Sequence, residues 1–136
     1  MRCRRTVPPE DGERRILVVD DHPVNREMAS FLLAGAGYRV DTAVNGLEAV
    51  RQAESIAYDL VLMDIQMPLL DGIQATAAIR ALGGGRGRIQ VIALTSNALG
   101  GDRESYLAAG MDDYLCKPID PKRLLATVRS RLAAVG

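Results

Sequence analysis

The sequence predicts a single α/β domain whose core is a five-stranded parallel sheet, doubly wound so that helices cover both faces. Apolar runs and segments of helical periodicity alternate five times from Arg15 to the end of the chain, which is typical of such sheets. The central runs are apolar throughout, as expected of strands that are buried on both sides. A length of 136 residues is enough for one domain with a sizeable core.

The first half of the chain supplies a tail, two strand–helix units and a third strand. Residues 1–13 contain Pro8-Pro9 and Asp11-Gly12 without a periodic pattern, so we expect a flexible tail or linker there and a domain over residues 14–135. Apolar residues at helical spacing predict a first helix that stops near Gly35. The predicted elements are a strand at 16–19, a helix from 24 to 35, a strand at 40–43, a helix at 46–53 and a strand at 60–63.

The second half continues the alternation. Ile73, Ala77 and Ala81 mark a third helix, which we expect to end at the glycine run 83–85, a solvated connector. The final helix is predicted to begin at Asp120-Pro121, an N-cap residue followed by proline at the first helical position. The remaining predicted elements are a strand at 89–94, a short helix at 102–109 closed by Gly110, and a strand at 114–116.

The predicted fourth helix begins with an unusual sequence. Gly100 and Gly101 lie where this helix would begin, and a glycine in a helix interior costs about 1 kcal/mol relative to alanine. We therefore expect the helix to start late or to fray, and not to run as an ordered helix from Leu99.

The composition argues against several classes of protein. The 17 basic and 17 acidic residues leave no net charge, so no overall basic field indicates nucleic-acid binding. No apolar stretch approaches the roughly 20 residues of a membrane span, and the N-terminus lacks the apolar region of a signal peptide. Cys3 and Cys116 form no disulfide or zinc pattern, so we expect free thiols in a reducing cytosol.

Lysine is scarce, which draws attention to Lys117. Of the 17 basic residues, 15 are arginine, and the others are Lys117 and Lys122. Lys117 ends a predicted strand, and this indicates a position that needs a compact ammonium rather than a planar guanidinium. Chance is the alternative, because two lysines are a small sample.

Polar residues follow four of the predicted strands. Asp20 and Asp21 come after the first strand, Asp64 after the third, Thr95 after the fourth and Lys117 after the fifth. The carboxyl ends of parallel strands meet at one edge of a sheet, where the functional crevice of such folds lies. We therefore expect three acids and one lysine to converge there.

This set of side chains suits a cation and a phosphoryl group. Mg²⁺ prefers about six oxygen ligands, and a divalent ion relieves the repulsion between clustered carboxylates. A carboxylate can also act as a nucleophile toward phosphorus, and Asp64 ends the most apolar run. Lys117 could then neutralise phosphoryl charge and Thr95 could donate a hydrogen bond. The alternative for Asp20 and Asp21 is that they only cap the following helix.

The sequence resembles the response-regulator receiver domains of bacterial two-component signalling over about residues 14–135. The resemblance lies in four motifs, in order: Leu17-Val18-Val19-Asp20-Asp21; Met63-Asp64-Ile65-Gln66-Met67-Pro68 with Asp71-Gly72; Ala93-Leu94-Thr95-Ser96; and Asp112-Asp113-Tyr114-Leu115-Cys116-Lys117-Pro118-Ile119. It implies the flavodoxin-like or CheY-like fold of five βα units, and a Mg²⁺ or Mn²⁺ cofactor.

The resemblance also implies a role for each site residue. Asp64 would be the phosphoacceptor, and a change of the surface built from the fourth helix, fifth strand and fifth helix would be the output. The implied roles of the other residues are metal binding for Asp20, Asp21, Asp64 and the backbone carbonyl of Gln66, phosphoryl contact for Thr95 and Lys117, switching for Thr95 and Tyr114, and a cis Lys117–Pro118 peptide bond.

Two motifs most closely resemble those of receiver domains at the end of hybrid sensor kinases. These motifs are His22-Pro23-Val24-Asn25-Arg26 and Asp64-Ile65-Gln66-Met67-Pro68. The implied partners are a histidine kinase, a histidine phosphotransfer protein or both, in the cytoplasm or on the cytosolic side of a membrane-bound kinase, with no nucleic acid and no membrane contact by this domain. A stand-alone single-domain regulator is the alternative, and in either case the chemistry would be self-phosphorylation and autodephosphorylation.

Two functions of other classes are weaker alternatives. A flavin-binding electron carrier would need a phosphate-binding loop after the first strand and aromatic side chains, but the loop is Asp20-Asp21-His22-Pro23 and the chain has four tyrosines and one phenylalanine. A phosphorylation-independent interaction domain would be expected to lack some of the acids or the lysine. We expect His22 to be a surface loop residue, because Mg²⁺ prefers oxygen ligands.

Overall fold

Five parallel strands form one sheet in the order β2-β1-β3-β4-β5, which confirms the predicted doubly wound fold. The computed structural model describes residues 14–65, 71–82, 89–95, 107–108 and 110–135. The strands are β1 (Arg15–Val19), β2 (Arg39–Ala43), β3 (Leu60–Asp64), β4 (Gln90–Thr95) and β5 (Asp113–Cys116), and the helices are α1 (Pro23–Gly35), α2 (Gly46–Ser55), α3 (Gly72–Arg80) and the C-terminal helix (Pro121–Val135).

Both faces of the sheet are buried, as the uninterrupted apolar strands predict. Alternate residues of a strand point to opposite faces, and each face has its own apolar cluster. Leu17 and Val61 belong to the cluster that includes residues of α2 and α3. Ile16 and Leu60 belong to the cluster under α1 and the C-terminal helix. The loops at the carboxyl ends of the strands therefore extend from a core that is packed on both faces of the sheet.

The helix starts show which residues act as caps. The N-cap of α1 is His22, which is exposed and makes no side-chain cap hydrogen bond. Asp20 and Asp21 therefore do not occupy the N-cap position, although the Asp20 carboxylate accepts the backbone N–H of the N-cap residue His22 (2.9 Å). By contrast, α3 begins with a capping box: the Asp71 carboxylate accepts from the Gln74 backbone N–H (2.8 Å) and the Gln74 side chain accepts from the Asp71 N–H (3.2 Å).

The segment before β5 is tied to α3 by Arg80. Its guanidinium donates to the Gly110 carbonyl (Nε to O, 3.0 Å) and to the Asp112 carboxylate (2.9 Å). The same Asp112 oxygen accepts the Val91 N–H (2.8 Å). Gly110 has φ 102°, and its N–H donates to the Leu107 carbonyl, so it closes the helical segment that includes residues 107 and 108, as predicted. The start of β5 is thus held to both α3 and β4.

Some sequence predictions lie outside the described residues. They concern the tail at 1–13, the start of the fourth helix at Leu99, the glycine connector at 83–87, Cys3 and the Gln66 carbonyl. The Lys117–Pro118 peptide bond is cis, as expected. No helix within the described ranges is long and apolar enough to cross a bilayer.

Candidate functional site

The carboxyl ends of β1 and β3 bring three acids together. The two strands are paired, with Val19 opposite Met63, so Asp20 and Asp64 follow at neighbouring positions of the edge. One carboxylate oxygen from each of Asp20, Asp21 and Asp64 lies within 4.8 Å of the others. The predicted convergence of the three acids is therefore confirmed.

Lys117 reaches the acids from across an intervening strand. β4 separates β5 from β3, and two strand spacings amount to about 10 Å. The Lys117 ammonium nevertheless lies 3.0 Å from Asp64 Oδ1 and 3.8 Å from Asp20 Oδ2. A long, unbranched side chain suits this span, which gives a physical reason for lysine here beyond its scarcity elsewhere.

The site has an excess of negative charge and an incompletely satisfied oxygen. Asp20 and Asp64 are each 1% exposed, and three carboxylates face one lysine. Asp20 Oδ2 is buried and accepts no hydrogen bond from the described residues. Buried anionic oxygens are costly unless they are neutralised or bonded, and oxygen ligands at this spacing suit a hard divalent cation. The donor set therefore fits Mg²⁺ or Mn²⁺.

Thr95 and Tyr114 lie on the sheet face that packs toward α2 and α3. Thr95 is buried and ends β4, and alternation places it on the same sheet face as Val91 and Ala93, which belong to the cluster toward α2 and α3. Tyr114 is half-buried against the same cluster and pairs with Ala93. The two predicted switch residues are therefore diagonal neighbours on one face, while the Thr95 carbonyl accepts the Lys117 N–H (2.7 Å).

The loop that carries the acidic pair is fixed by contacts that the sequence did not indicate. The Asp20 N–H donates to the Ala43 carbonyl of β2 (3.2 Å), and Asp20 Oδ1 accepts the His22 N–H (2.9 Å). Arg26, in α1, donates from Nη1 to the Asp20 backbone carbonyl (2.9 Å). The only sequence signal for this contact was a basic residue one turn into the helix that follows the acidic pair. Spacing alone does not show that its side chain bonds to a backbone carbonyl.

Gly72 brings the start of α3 into contact with the Asp64 backbone. Its N–H donates to the Ile65 carbonyl (3.0 Å). A Cβ at this position would lie 2.3 Å from the Asp64 carbonyl oxygen and 2.9 Å from the Ile65 Cα. The glycine therefore permits an approach that any other residue would block, and it supports the segment that follows the candidate phosphoacceptor.

We expect Gly72→Ala to destabilise the protein by about 1–3 kcal/mol, the usual cost of forcing extra atoms into a packed region. The added methyl meets backbone atoms, which cannot rotate away as a side chain could. Urea denaturation measures the free energy of unfolding. Gly35→Ala is the matched control, because no atom of the described residues lies within 4 Å of a Cβ there. Equal stabilities of the two variants would contradict the proposed contact.

Comparison with known proteins identifies the family. A family model for the response regulator receiver domain matches residues 16–129. The chain is a response regulator receiver domain. Its relatives include the sensor protein GacS of Pseudomonas syringae pv. syringae, 44% identical over 116 residues that cover 84% of this chain and 13% of the relative. Hybrid signal transduction histidine kinase I of Dictyostelium discoideum is 38% identical over 125 residues, 88% of this chain and 7% of the relative.

Solved structures agree with this assignment. The receiver domain of sensor histidine kinase PA1611 from Pseudomonas aeruginosa PAO1, determined with a magnesium ion in the active site cleft, is 46% identical, with a TM-score of 0.82 and coverage of 89% of this chain and 98% of that one. Chemotaxis response regulator CheY4 of Vibrio cholerae is 30% identical, with a TM-score of 0.82 and coverage of 88% and 98%. The receiver domain thus covers 98% of each of these solved chains but under a fifth of each of the two longer relatives named above.

Proposed function

We propose that this receiver domain accepts a phosphoryl group on Asp64 from a phosphohistidine protein in a reaction that requires Mg²⁺. One observation carries the proposal: a buried aspartate at the end of β3 has two other carboxylates and one ammonium around it. This arrangement combines a nucleophile, a place for a cation and a counter-charge for phosphoryl oxygens. Phosphoryl transfer depends mainly on such positioning and charge neutralisation.

The transfer exchanges one bond to phosphorus for another. A carboxylate oxygen of Asp64 attacks the phosphorus as the N–P bond of the donor breaks, and the released imidazole keeps the bonding electrons and can take a proton from water. The product is an acyl phosphate on Asp64. Lys117, which now pairs with Asp64, is placed to pair with a phosphoryl oxygen instead.

The residues that would hold the cation are Asp20, Asp21 and Asp64, with the Gln66 backbone carbonyl as the fourth protein ligand. Bound Mg²⁺ supplies neutralisation of the charge on the carboxylates and the phosphoryl oxygens. The approach of a phosphoryl group to three acids would otherwise be opposed by repulsion. The magnesium reported for the PA1611 receiver domain supports this assignment.

We propose that Thr95 and Tyr114 transmit the effect of Asp64 phosphorylation to the output surface. The Thr95 hydroxyl would donate to a phosphoryl oxygen, and Tyr114, a diagonal neighbour on the same sheet face, would respond to the shift of Thr95. The surface that responds would comprise the predicted fourth helix, β5 and the C-terminal helix. A local charge change that biases two arrangements of such a surface is a common form of switch.

The kinase relatives and an exposed part of α1 support a protein as phosphodonor. Val24 and Phe31 are 64% and 78% exposed and lie seven residues apart on one side of the helix that follows the acidic pair. A histidine kinase or a histidine phosphotransfer protein whose phosphohistidine reached Asp64 would cover this side. We infer that the domain acts in the cytoplasm as part of a hybrid-kinase phosphorelay. The alternative is a stand-alone regulator.

Intact-mass spectrometry with a small phosphodonor tests the proposal. With Mg²⁺ present, a small acyl phosphate or phosphoramidate should add one phosphoryl group, and excess EDTA should prevent the addition. Hydroxylamine should remove the group, because it attacks acyl phosphates and leaves serine or threonine phosphates intact. No adduct with Mg²⁺, or an adduct that resists hydroxylamine, would overturn the assignment.

A further inference from the structure

We propose that Arg26 is a positioning residue that holds the Asp20–Asp21 segment so that both carboxylates face Asp64. The proposal rests on the proposed function, since it concerns the cation site of the same acids. Arg26 is partly buried in α1, and its Nη1 donates to the Asp20 backbone carbonyl at 2.9 Å. The Arg26 backbone N–H donates to the His22 carbonyl (3.0 Å), as in a regular first helical turn, while the side chain extends back past the helix start to reach Asp20.

The contact acts on a peptide plane rather than on a side chain. The Asp20 carbonyl and the Asp21 N–H belong to one planar peptide group. A bond from Arg26 to this carbonyl therefore sets the direction in which the chain leaves Asp20 and the place of the Asp21 Cα. A guanidinium donor makes a stronger bond than a neutral one.

Asp21 depends on this restraint more than Asp20 does. Asp20 is buried, and its N–H and Oδ1 are also bonded, to the Ala43 carbonyl and the His22 N–H. Asp21 is exposed, and its carboxylate makes no hydrogen bond or ion pair with the described residues. Its place within 4.8 Å of the other two acids is thus determined through the backbone, which Arg26 restrains.

A purely electrostatic role for Arg26 would have the opposite effect on cation binding. A positive guanidinium near the acids repels a divalent cation, so its removal would tighten binding by Coulomb's law. Loss of the restraint on the Asp20–Asp21 peptide would instead weaken binding, because the ligands would no longer be held in place. Weaker cation binding after the removal of Arg26 therefore indicates a positioning role, and tighter binding indicates a purely electrostatic one.

The test is a Mn²⁺ titration of the whole chain followed by electron paramagnetic resonance. Residues that orient metal ligands typically contribute 10-fold or more to affinity, and for Arg26→Met we expect binding about 10-fold weaker than wild type. Arg26→Lys, which keeps a charged donor, should recover part of this loss. Arg51→Met removes an exposed arginine of α2 and should bind Mn²⁺ as wild type does. Binding by Arg26→Met that equals or exceeds wild type would overturn the proposal.

A second variant and a second readout complete the test. Arg26→Gln, whose amide is too short to reach the carbonyl, should show the same weakening and replaces Arg26→Met if that variant does not fold. The phosphorylation rate with a small donor should fall in both variants and recover at higher Mg²⁺ concentration; a fall that Mg²⁺ does not restore would contradict a positioning role. A wild-type chain that binds no Mn²⁺ and takes no phosphoryl group would instead contradict the proposed function itself.

Discussion

Asn in place of Asp64 is expected to abolish phosphorylation of the receiver domain. The amide is nearly the same size as the carboxyl group, so it should fit the same buried position at the end of β3. It lacks an anionic oxygen that could attack phosphorus, and an acyl phosphate cannot form on it. With Mg²⁺ and a small phosphodonor, the intact mass of Asp64→Asn should stay that of the unmodified chain.

The matched control is Asp59→Asn. Asp59 lies at the opposite end of β3, where its carboxylate accepts the Arg15 N–H (2.8 Å). An asparagine oxygen can accept the same bond, so this variant should fold and take up one phosphoryl group as wild type does. Circular dichroism checks that both variants fold. A phosphoryl adduct at wild-type level on Asp64→Asn would show that another residue is the acceptor.

Lys117→Met is expected to destabilise the receiver domain by about 3 kcal/mol when no divalent cation is present, the lower end of the cost of removing one partner from a buried ion pair. The lower end applies because the lysine side chain is 22% exposed. Without its ammonium, the nearly inaccessible carboxylates of Asp20 and Asp64 face each other with no counter-charge. Urea denaturation in EDTA measures the loss.

Addition of Mg²⁺ should restore part of the lost stability, since a ligand that binds only the folded state stabilises it. The other lysine of the chain supplies the control: Lys122 is exposed near the start of the C-terminal helix. Lys122→Met should change the free energy of unfolding by no more than about 0.5 kcal/mol, as usual for surface sites. If Lys117→Met were as stable as Lys122→Met in EDTA, the ion pairs of Lys117 would not contribute as argued.

The positions of the strands and of most helices could be predicted because their signals are local. The apolar runs at 16–19 and 60–63 became β1 and β3 with one residue added to each. The glycines near 35 marked the end of α1, and Asp120-Pro121 marked the start of the C-terminal helix. These features depend on the periodicity of side chains and on backbone preferences of neighbouring residues.

The sequence by itself also determined the chemistry available at the site. Three acids and a lysine stand directly after apolar strands, and in a parallel sheet the strand ends meet at one edge. The candidate phosphoacceptor and cation ligands follow from this rule together with the chemistry of carboxylates. The motifs that resemble receiver domains assigned the individual roles.

Only the tertiary structure decided how these groups are held. It placed β1 beside β3 but left β4 between β3 and β5, so Lys117 must extend across a strand. It also brought Arg26 to the Asp20 carbonyl and Gly72 to the Asp64 backbone. These contacts join side chains or Cα atoms to main-chain atoms, and their existence depends on the packing of α1 and α3 against the sheet. Sequence patterns record which residues are buried or exposed, but not which backbone oxygen lies within reach of a given side chain.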